Sequence, residues 1–509
     1  MTGFVKERLA GSIPDTMSVI THYFTENRSG RLLLALLGCL LAALVLGFII
    51  AKGGIAVAGL LIVAPPALLF LSFCFNQPKV GIFSCLILSL FLFSHSIGDM
   101  IAKIVGPSFQ LGLLLDGCLL VSLLGVLFTA KAEDWQRLNN PVIYLLLLWL
   151  LYTILELFNP MSISREPWFV AVRGFSLYWF ELTVIGFIVL KRESDLRLFV
   201  NIWMIGCMIM ALWSFKQQYM GLTNEEQFWM DNIAFSTHII NGVMRCFGMC
   251  PDAGQFGAVM AQATLFAMIR MLDEPSKLRK IGYGIMTLVF FWGFAIAGSR
   301  GPLAVLGAGF AVYLVLKRNI VVLVVGGTVG AMAFGFLKYT TILQANSQVQ
   351  RLRSALDPED PSLQLRLSNQ RLFADFLSTR PFGVGLGLAG DSGKKYWQVV
   401  VTTQGIDSWY VKIWVETGVI GLVIHVIGIL TFFVLGFRKV FYIHDPHLRS
   451  VMSGLLCGYF GILVANYGNQ IMGQKPTCFI IYISIIFFVQ ADQFDKVPPP
   501  AQQPNRTLP

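Results

Sequence analysis

The chain has 509 residues, of which 56% are hydrophobic and 13% charged, and its mean hydropathy is +0.69. A charged fraction about half that of ordinary soluble domains excludes a water-soluble globular protein. The formal net charge of +10 is assigned to topology and not to nucleic acid, because Lys and Arg collect in the short cytoplasmic loops of membrane proteins.

Residues 1–30 carry Lys6, Glu7, Arg8, His22, Glu26 and Arg28 and are expected to form a polar cytoplasmic tail. They lack the charged, apolar and small-residue succession of a signal peptide. Apolar runs of spanning length follow at about 31–51, 54–75, 80–96, 109–130, 141–158, 173–190, 197–218, 254–271, 281–298, 302–316, 319–337, 408–436, 449–467 and 474–490. The pattern predicts an all-α polytopic integral membrane protein with roughly fourteen transmembrane helices. Residues 31–337 hold helices 1–11, 338–407 form one large extracytoplasmic loop, 408–490 hold helices 12–14, and 491–509 are a disordered Pro-rich cytoplasmic tail. The stretch around 97–110 is a re-entrant candidate.

With the N-terminus inside, cytoplasmic turns receive Lys131 to Arg137, Lys191-Arg192 with Arg197, Arg270 with Lys277, Arg279 and Lys280, Lys317-Arg318, and Arg438-Lys439. Both termini are then cytoplasmic. The sequons at Asn27 and Asn505 fall inside and are read as chance. The nine cysteines are scattered, and Cys246 and Cys250 are the only close pair outside a span. No wider disulfide framework accompanies them. The six histidines are isolated, so no metal site and no cofactor is expected.

On this topology Arg173, Arg245 and Arg300 all lie outside, at or near span ends, where arginine is disfavoured. A planar guanidinium fork suits phosphate oxygens, and the three together are read as a grip on a lipid pyrophosphate. The competing reading is snorkelling, or pairing with Glu166, Glu225 or Glu226.

The loop 338–407 is long enough to carry function. Its charged first part holds Arg351, Arg353, Asp357, Glu359, Asp360 and Arg366, and reads as a solvated helical surface. Arg366 to Phe376 alternates at helical spacing and predicts an amphipathic helix bearing Arg371. Gly383, Gly385 and Gly387 then permit a tight turn and a close approach to a ligand. Asp407 enters the next span and reads either as the helix N-cap or as a carboxylate that takes a proton from a sugar hydroxyl, with Glu416 nearby.

In this order the motifs resemble the O-antigen ligase and polymerase superfamily, polytopic glycosyltransferases that use undecaprenyl-pyrophosphate-linked glycans. The likeness covers about residues 170–435. Arg245-Cys246-Phe247-Gly248 with Pro251-Asp252, the turn Gly298-Ser299-Arg300-Gly301, the run from Arg371 through Pro381 to Gly387, and Asp407-Ser408-Trp409-Tyr410 before Glu416, Gly418 and Gly421 carry it. The chain departs from the family at Asp407, where its ligases place a histidine; His425 lies deep in the following span.

The resemblance implies a metal-independent enzyme of the bacterial inner membrane with its active site on the periplasmic face. The donor would be a polyprenyl-pyrophosphate glycan and the acceptor a lipid or glycan hydroxyl, with membrane lipids and no nucleic acid as further partners. Arg173, Arg245, Arg300 and, less strongly, Arg371 would hold the pyrophosphate. Asp407 would act on the acceptor hydroxyl, with Glu416 in support. The rivals are a lipid-linked oligosaccharide flippase or transporter and a peptidoglycan polymerase of the shape-and-division type.

Overall fold

The computed structural model describes residues 64–105, 110–240, 242–344, 347–354 and 356–495. Residues 1–72 and 73–509 form two compact units, and the second is the subject below. It is all-α: among the described residues the only strands are a two-residue antiparallel pair, Ile239–Ile240 with Val243–Met244. Nine described helices are long and apolar enough to cross a membrane, and four shorter apolar helices accompany them, including Pro78–Phe91, Leu303–Leu316 and Thr477–Val489. Every expected span from 80–96 onward falls on one of these helices. The run 31–51, most of 54–75 and the tail beyond Asp495 lie outside the described residues. The re-entrant candidate holds a short helix, Ile97–Val105.

Helix starts follow a simple rule. Asn140, Asp360 and Asp445 each accept hydrogen bonds from backbone N–H groups of the first turn, and proline follows each of them. The cap satisfies donors that the helix leaves unpaired, and proline has no N–H to waste there.

At the centre stands the helix Ala253–Asp273, which is buried over nearly its whole length. It is rich in alanine and glycine, so its neighbours Lys277–Ala297, Leu303–Leu316 and Pro446–Ala465 approach closely. Gly454 faces Phe266, Gly458 faces Gln262 and Gly461 faces the Val305 backbone, which makes one flank of Pro446–Ala465 a smooth contact strip. By contrast, Ile320–Tyr339 buries none of its residues. An apolar helix exposed all round is matched to hydrocarbon.

The segment 338–407 is folded. It contains the helices Ser347–Ser354 and Pro361–Leu377, plus two short turns of helix at Gly390–Gly393 and Val400–Thr403. Asn369, Phe373 and Leu377 recur at helical spacing and form the buried stripe of Pro361–Leu377. Phe373 and Leu377 join Val384, Leu388, Val401, Ile406 and Val415 in a core separate from the main one. The amphipathic helix expected over Arg366 to Phe376 is therefore present, and it is one turn longer at its start.

Candidate functional site

Arg245 and Arg300 are brought together by backbone. The short hairpin ends in Arg245, whose N–H donates to His238 O at 2.8 Å, and Cys246 N–H donates to Ile296 O at 3.1 Å. That second bond ties the hairpin to the end of Lys277–Ala297. Gly298 ends this helix in the left-handed conformation at φ 54°, and Ser299-Arg300-Gly301 follows. The Arg245 guanidinium donates to Thr237 O at 2.9 Å and to Ala297 O at 3.4 Å. Arg300 donates to Ser354 Oγ at 3.1 Å and to Ser362 Oγ at 2.9 Å, and it pairs with Asp360.

Three arginines meet here. Burial, and then the charges of Arg351 and Arg300, lower the Arg245 pKa to about 10. Arg351 is lowered by burial and by Arg300. Partial burial pushes the Asp360 carboxyl up, but the Arg300 hydrogen bond and charge, together with the backbone N–H bonds from Leu363 and Ser362, outweigh it and hold Asp360 below its ordinary value. Among the described residues no carboxylate lies within ion-pair distance of Arg245 or Arg351. Clustered cations with one partner between them favour an anion.

Beside this cluster lies a cavity of about 630 Å³. One wall is polar: Arg300, Ser354, Asp360 and Arg366. The facing wall is apolar, with Leu303, Ala333, Phe334 and Leu337, and three of these belong to the exposed helix Ile320–Tyr339. Arg366 Nε donates to Asp407 Oδ2 at 2.9 Å.

Asp407 is exposed and does not cap its helix. Ser408 does: its Oγ accepts from Val411 N at 3.4 Å, and the N-cap reading of Asp407 is corrected accordingly. The helix that follows, Trp409–Phe441, is broken at Gly418, whose φ of 69° and ψ of −175° no helix contains.

The three-glycine turn packs into that break. Val384 N–H donates to Val415 O at 2.9 Å and Gly385 N–H to Glu416 O at 3.0 Å. Gly383, Gly385 and Gly387 all have positive φ, and a Cβ on Gly383 would strike the backbone of Val415 to Gly418. The close approach is thus made within the protein: Gly383 meets the broken helix's backbone, Gly385 meets Ser162, and Gly387 meets Pro167 and Ala171. Gly387 N–H donates to Glu416 Oε2 at 2.9 Å, while the buried Glu416 Oε1 has no partner among the described residues.

Arg173 stands elsewhere. It begins a π-helical turn, Arg173–Leu177, inside the span Trp168–Val189. It donates to Asp116 Oδ2 at 2.7 Å and to Gln110 Oε1 at 3.1 Å. It lines a second cavity, of about 600 Å³, together with Lys412, Glu416, Gly387 and Lys475. Arg371 is exposed on its helix and lines neither cavity.

The carboxylates suggested as arginine partners serve other groups: Glu166 pairs with Lys395, Glu225 with Lys103, and Glu226 accepts from Trp213, Ser96 and Gln217. Asp357, Asp360 and Arg366 line the cavity and Arg351 stands beside Arg245, whereas Glu359 is exposed. Cys246 and Cys250 are both free and buried.

Lys412, Lys475 and Asp116 were missed by the sequence reading. The signal for Asp116 was an ionisable residue inside an apolar run, which calls for a named partner.

Residues 285–426, which include Arg300, the glycine turn, Asp407 and Glu416, match the O-antigen ligase family model. The chain is also 24% identical over 334 residues to a protein of Salmonella muenchen described as O-antigen polymerase, covering 61% of this chain and 80% of that one. Both matches are to the O-antigen ligase and polymerase superfamily, the one that the ordered motifs resemble.

Proposed function

We propose that the protein transfers a glycan from a polyprenyl-pyrophosphate carrier to an acceptor hydroxyl at the periplasmic face of a bacterial inner membrane. The observation that carries this reading is the cavity beside Arg300. It combines Arg300 and Arg366, beside Asp357 and Asp360, with apolar residues drawn from a helix that buries none of its residues in the protein. A ligand that suits both walls has a charged head and a hydrocarbon tail, as a lipid pyrophosphate does.

In this reading Arg245 and Arg300, with Arg351 beside them, hold the donor pyrophosphate. The acceptor oxygen attacks the anomeric carbon of the donor sugar, and the bond from that carbon to the pyrophosphate oxygen breaks. Negative charge on the departing pyrophosphate grows as the bond stretches, and fixed guanidinium groups stabilise it more in the transition state than in the ground state. The acceptor hydroxyl gives up its proton to Asp407, which Arg366 holds at the cavity edge. Glu416 acts indirectly by pinning the glycine turn through Gly387. The leaving group needs neither nucleotide activation nor a metal, since side chains supply the positive charge.

The test is the lipid-linked and surface glycan of a deletion strain. Single repeats left on the carrier identify a polymerase, and complete chains left on the carrier identify a ligase. Normal surface glycan in that strain overturns the proposal.

A further inference from the structure

The Arg245 guanidinium rests on two backbone carbonyls, and the chain that follows it is fixed by buried side chains that the reaction above does not use. Gln217, in the last turn of Glu193–Tyr219, grips Gly248 at both backbone groups. Its Oε1 accepts from Gly248 N–H at 2.8 Å, and its Nε2 donates to Gly248 O at 3.0 Å. Gly248 follows Arg245 across Cys246 and Phe247 and has a φ of 56°. A Cβ there would strike the Phe256 ring, so a glycine is needed both for conformation and for space. Between the two, Cys246 Sγ donates to Gln218 Oε1 at 3.2 Å, and Phe247 packs with Met230, Ala234 and Ala253 in a small core of its own.

An amide side chain has one accepting end and one donating end, so this grip on Gly248 works in a single orientation. Glu226 selects it. Both Gln217 and Glu226 are buried. Glu226 Oε1 accepts from Gln217 Nε2, Ser96 Oγ and Trp213 Nε1, each at 2.8 Å. Its Oε2 accepts from Thr223 N–H at 2.8 Å and lies 3.7 Å from Lys216 Nζ. Every group around this carboxylate is a donor, and a carboxamide in its place would turn an NH₂ toward donors in either orientation. Burial raises the Glu226 pKa, but the bonds from Thr223, Trp213, Ser96 and Gln217 outweigh it and hold the carboxyl below its ordinary value. A line of contacts thus runs from the Glu226 charge to the Gln217 amide, to the Gly248 backbone, and so to Arg245.

We propose that Gln217 is a positioning residue for Arg245: oriented by Glu226, it fixes the backbone from Arg245 to Gly248 so that the guanidinium meets the donor pyrophosphate. This rests on the donor reading above and extends it to two side chains that touch no substrate. Placement matters because a guanidinium fork bonds phosphate oxygens only in a narrow geometry. A shift of about 1 Å in a group that binds the reacting centre is enough to cost a large factor in rate.

Binding of undecaprenyl pyrophosphate to the full chain in detergent micelles, measured in two backgrounds, tests it. With Arg245 present, Gln217→Met keeps the side chain's length without its amide and should weaken binding about tenfold, the order expected when a hydrogen bond to a charged group is lost. In Arg245→Ala the same substitution should weaken binding no further, because the group it positions is gone. Glu226→Asp, which keeps the charge among its donors but withdraws it from Gln217, should show the same dependence on Arg245. It stands in for Gln217→Met where that variant does not accumulate in the membrane. A residue that serves only the fold weakens binding by the same factor in both backgrounds, and that result overturns the proposal. Wild-type affinity in Gln217→Met overturns it too. Wild-type affinity in Arg245→Ala overturns the donor reading instead.

Discussion

Glu416 accepts a 2.9 Å hydrogen bond from the backbone N–H of Gly387 at the point where the Trp409–Phe441 helix breaks. Its second oxygen is buried without a partner among the described residues. One side chain thus links the helix break, the three-glycine turn and the cavity beside Arg173. Glu416→Gln keeps an oxygen for Gly387, whereas Glu416→Ala leaves that N–H buried and unpaired, at a cost of about 1–3 kcal/mol. Glutamine should retain wild-type thermal stability and turnover, and alanine should lose both. Equal stability in the two variants would refute the pinning role.

Arg300→Ala removes the charge placed on the donor and should lower transfer by about 10²–10³-fold. It also strands Asp360, so Arg300→Ala/Asp360→Ala is the informative control. If activity in the double variant returns to the wild-type level, Arg300 serves only to neutralise Asp360. Membrane abundance should be checked in both variants.

Asp407 is exposed and its pair with Arg366 is solvent-accessible. Such pairs contribute about 0–1 kcal/mol, so Asp407→Asn should leave the melting temperature nearly unchanged. Donor binding should persist while turnover falls by about 10²-fold or more. A wild-type rate would remove Asp407 from the chemistry.

His238 is buried beneath the Arg245 hairpin, and its Nε2 accepts from Ala253 N–H at 3.1 Å. Burial, followed by the Arg245 charge, lowers its pKa from 6.5 to about 4. The unfolded chain therefore takes up a proton near pH 6.5 that the folded chain refuses until about pH 4. Stability falls across that window as pH drops, by up to about 1.4 kcal/mol per pH unit. His238→Gln keeps an acceptor without a titrating ring, so its apparent melting temperature should decline less between pH 6.5 and 4. An identical decline would refute the assignment.

Gly383 and Gly390 both have positive φ, at 72° and 61°, but differ in surroundings. A Cβ on Gly383 meets backbone, and one on Gly390 meets nothing within 4 Å. Gly383→Ala should cost at least about 1–3 kcal/mol from conformation alone, plus the clash. Gly390→Asn should be tolerated, because asparagine accepts the left-handed region. Thermal melts of the two variants decide this.

The spans were legible because apolar length is a local property. Hydrocarbon demands about 20 residues of helix whatever the neighbours do, and Ala253–Asp273 or Pro446–Ala465 could be placed within a few residues. The amphipathic helix ending at Leu377 was legible for a similar reason, since its stripe recurs every turn. Arg245 and Arg300 could be flagged singly, as cations at span ends that need a partner. Their proximity could not, because it depends on the bond from Cys246 to Ile296, which ties the hairpin to the end of the helix Lys277–Ala297.

Tertiary packing decided the rest. It separated Arg173 from the other arginines by giving it Asp116, and it packed Gly383 against the backbone of the broken helix and Gly385 and Gly387 against Ser162 and Pro167. It also brought Lys412 and Lys475 into one cavity, although each alone reads as an ordinary cation at a span boundary. Periodicity and length describe how one segment meets its solvent, whereas a binding site is set by which segments meet one another. That is fixed by long-range hydrogen bonds and packing that no window of sequence contains.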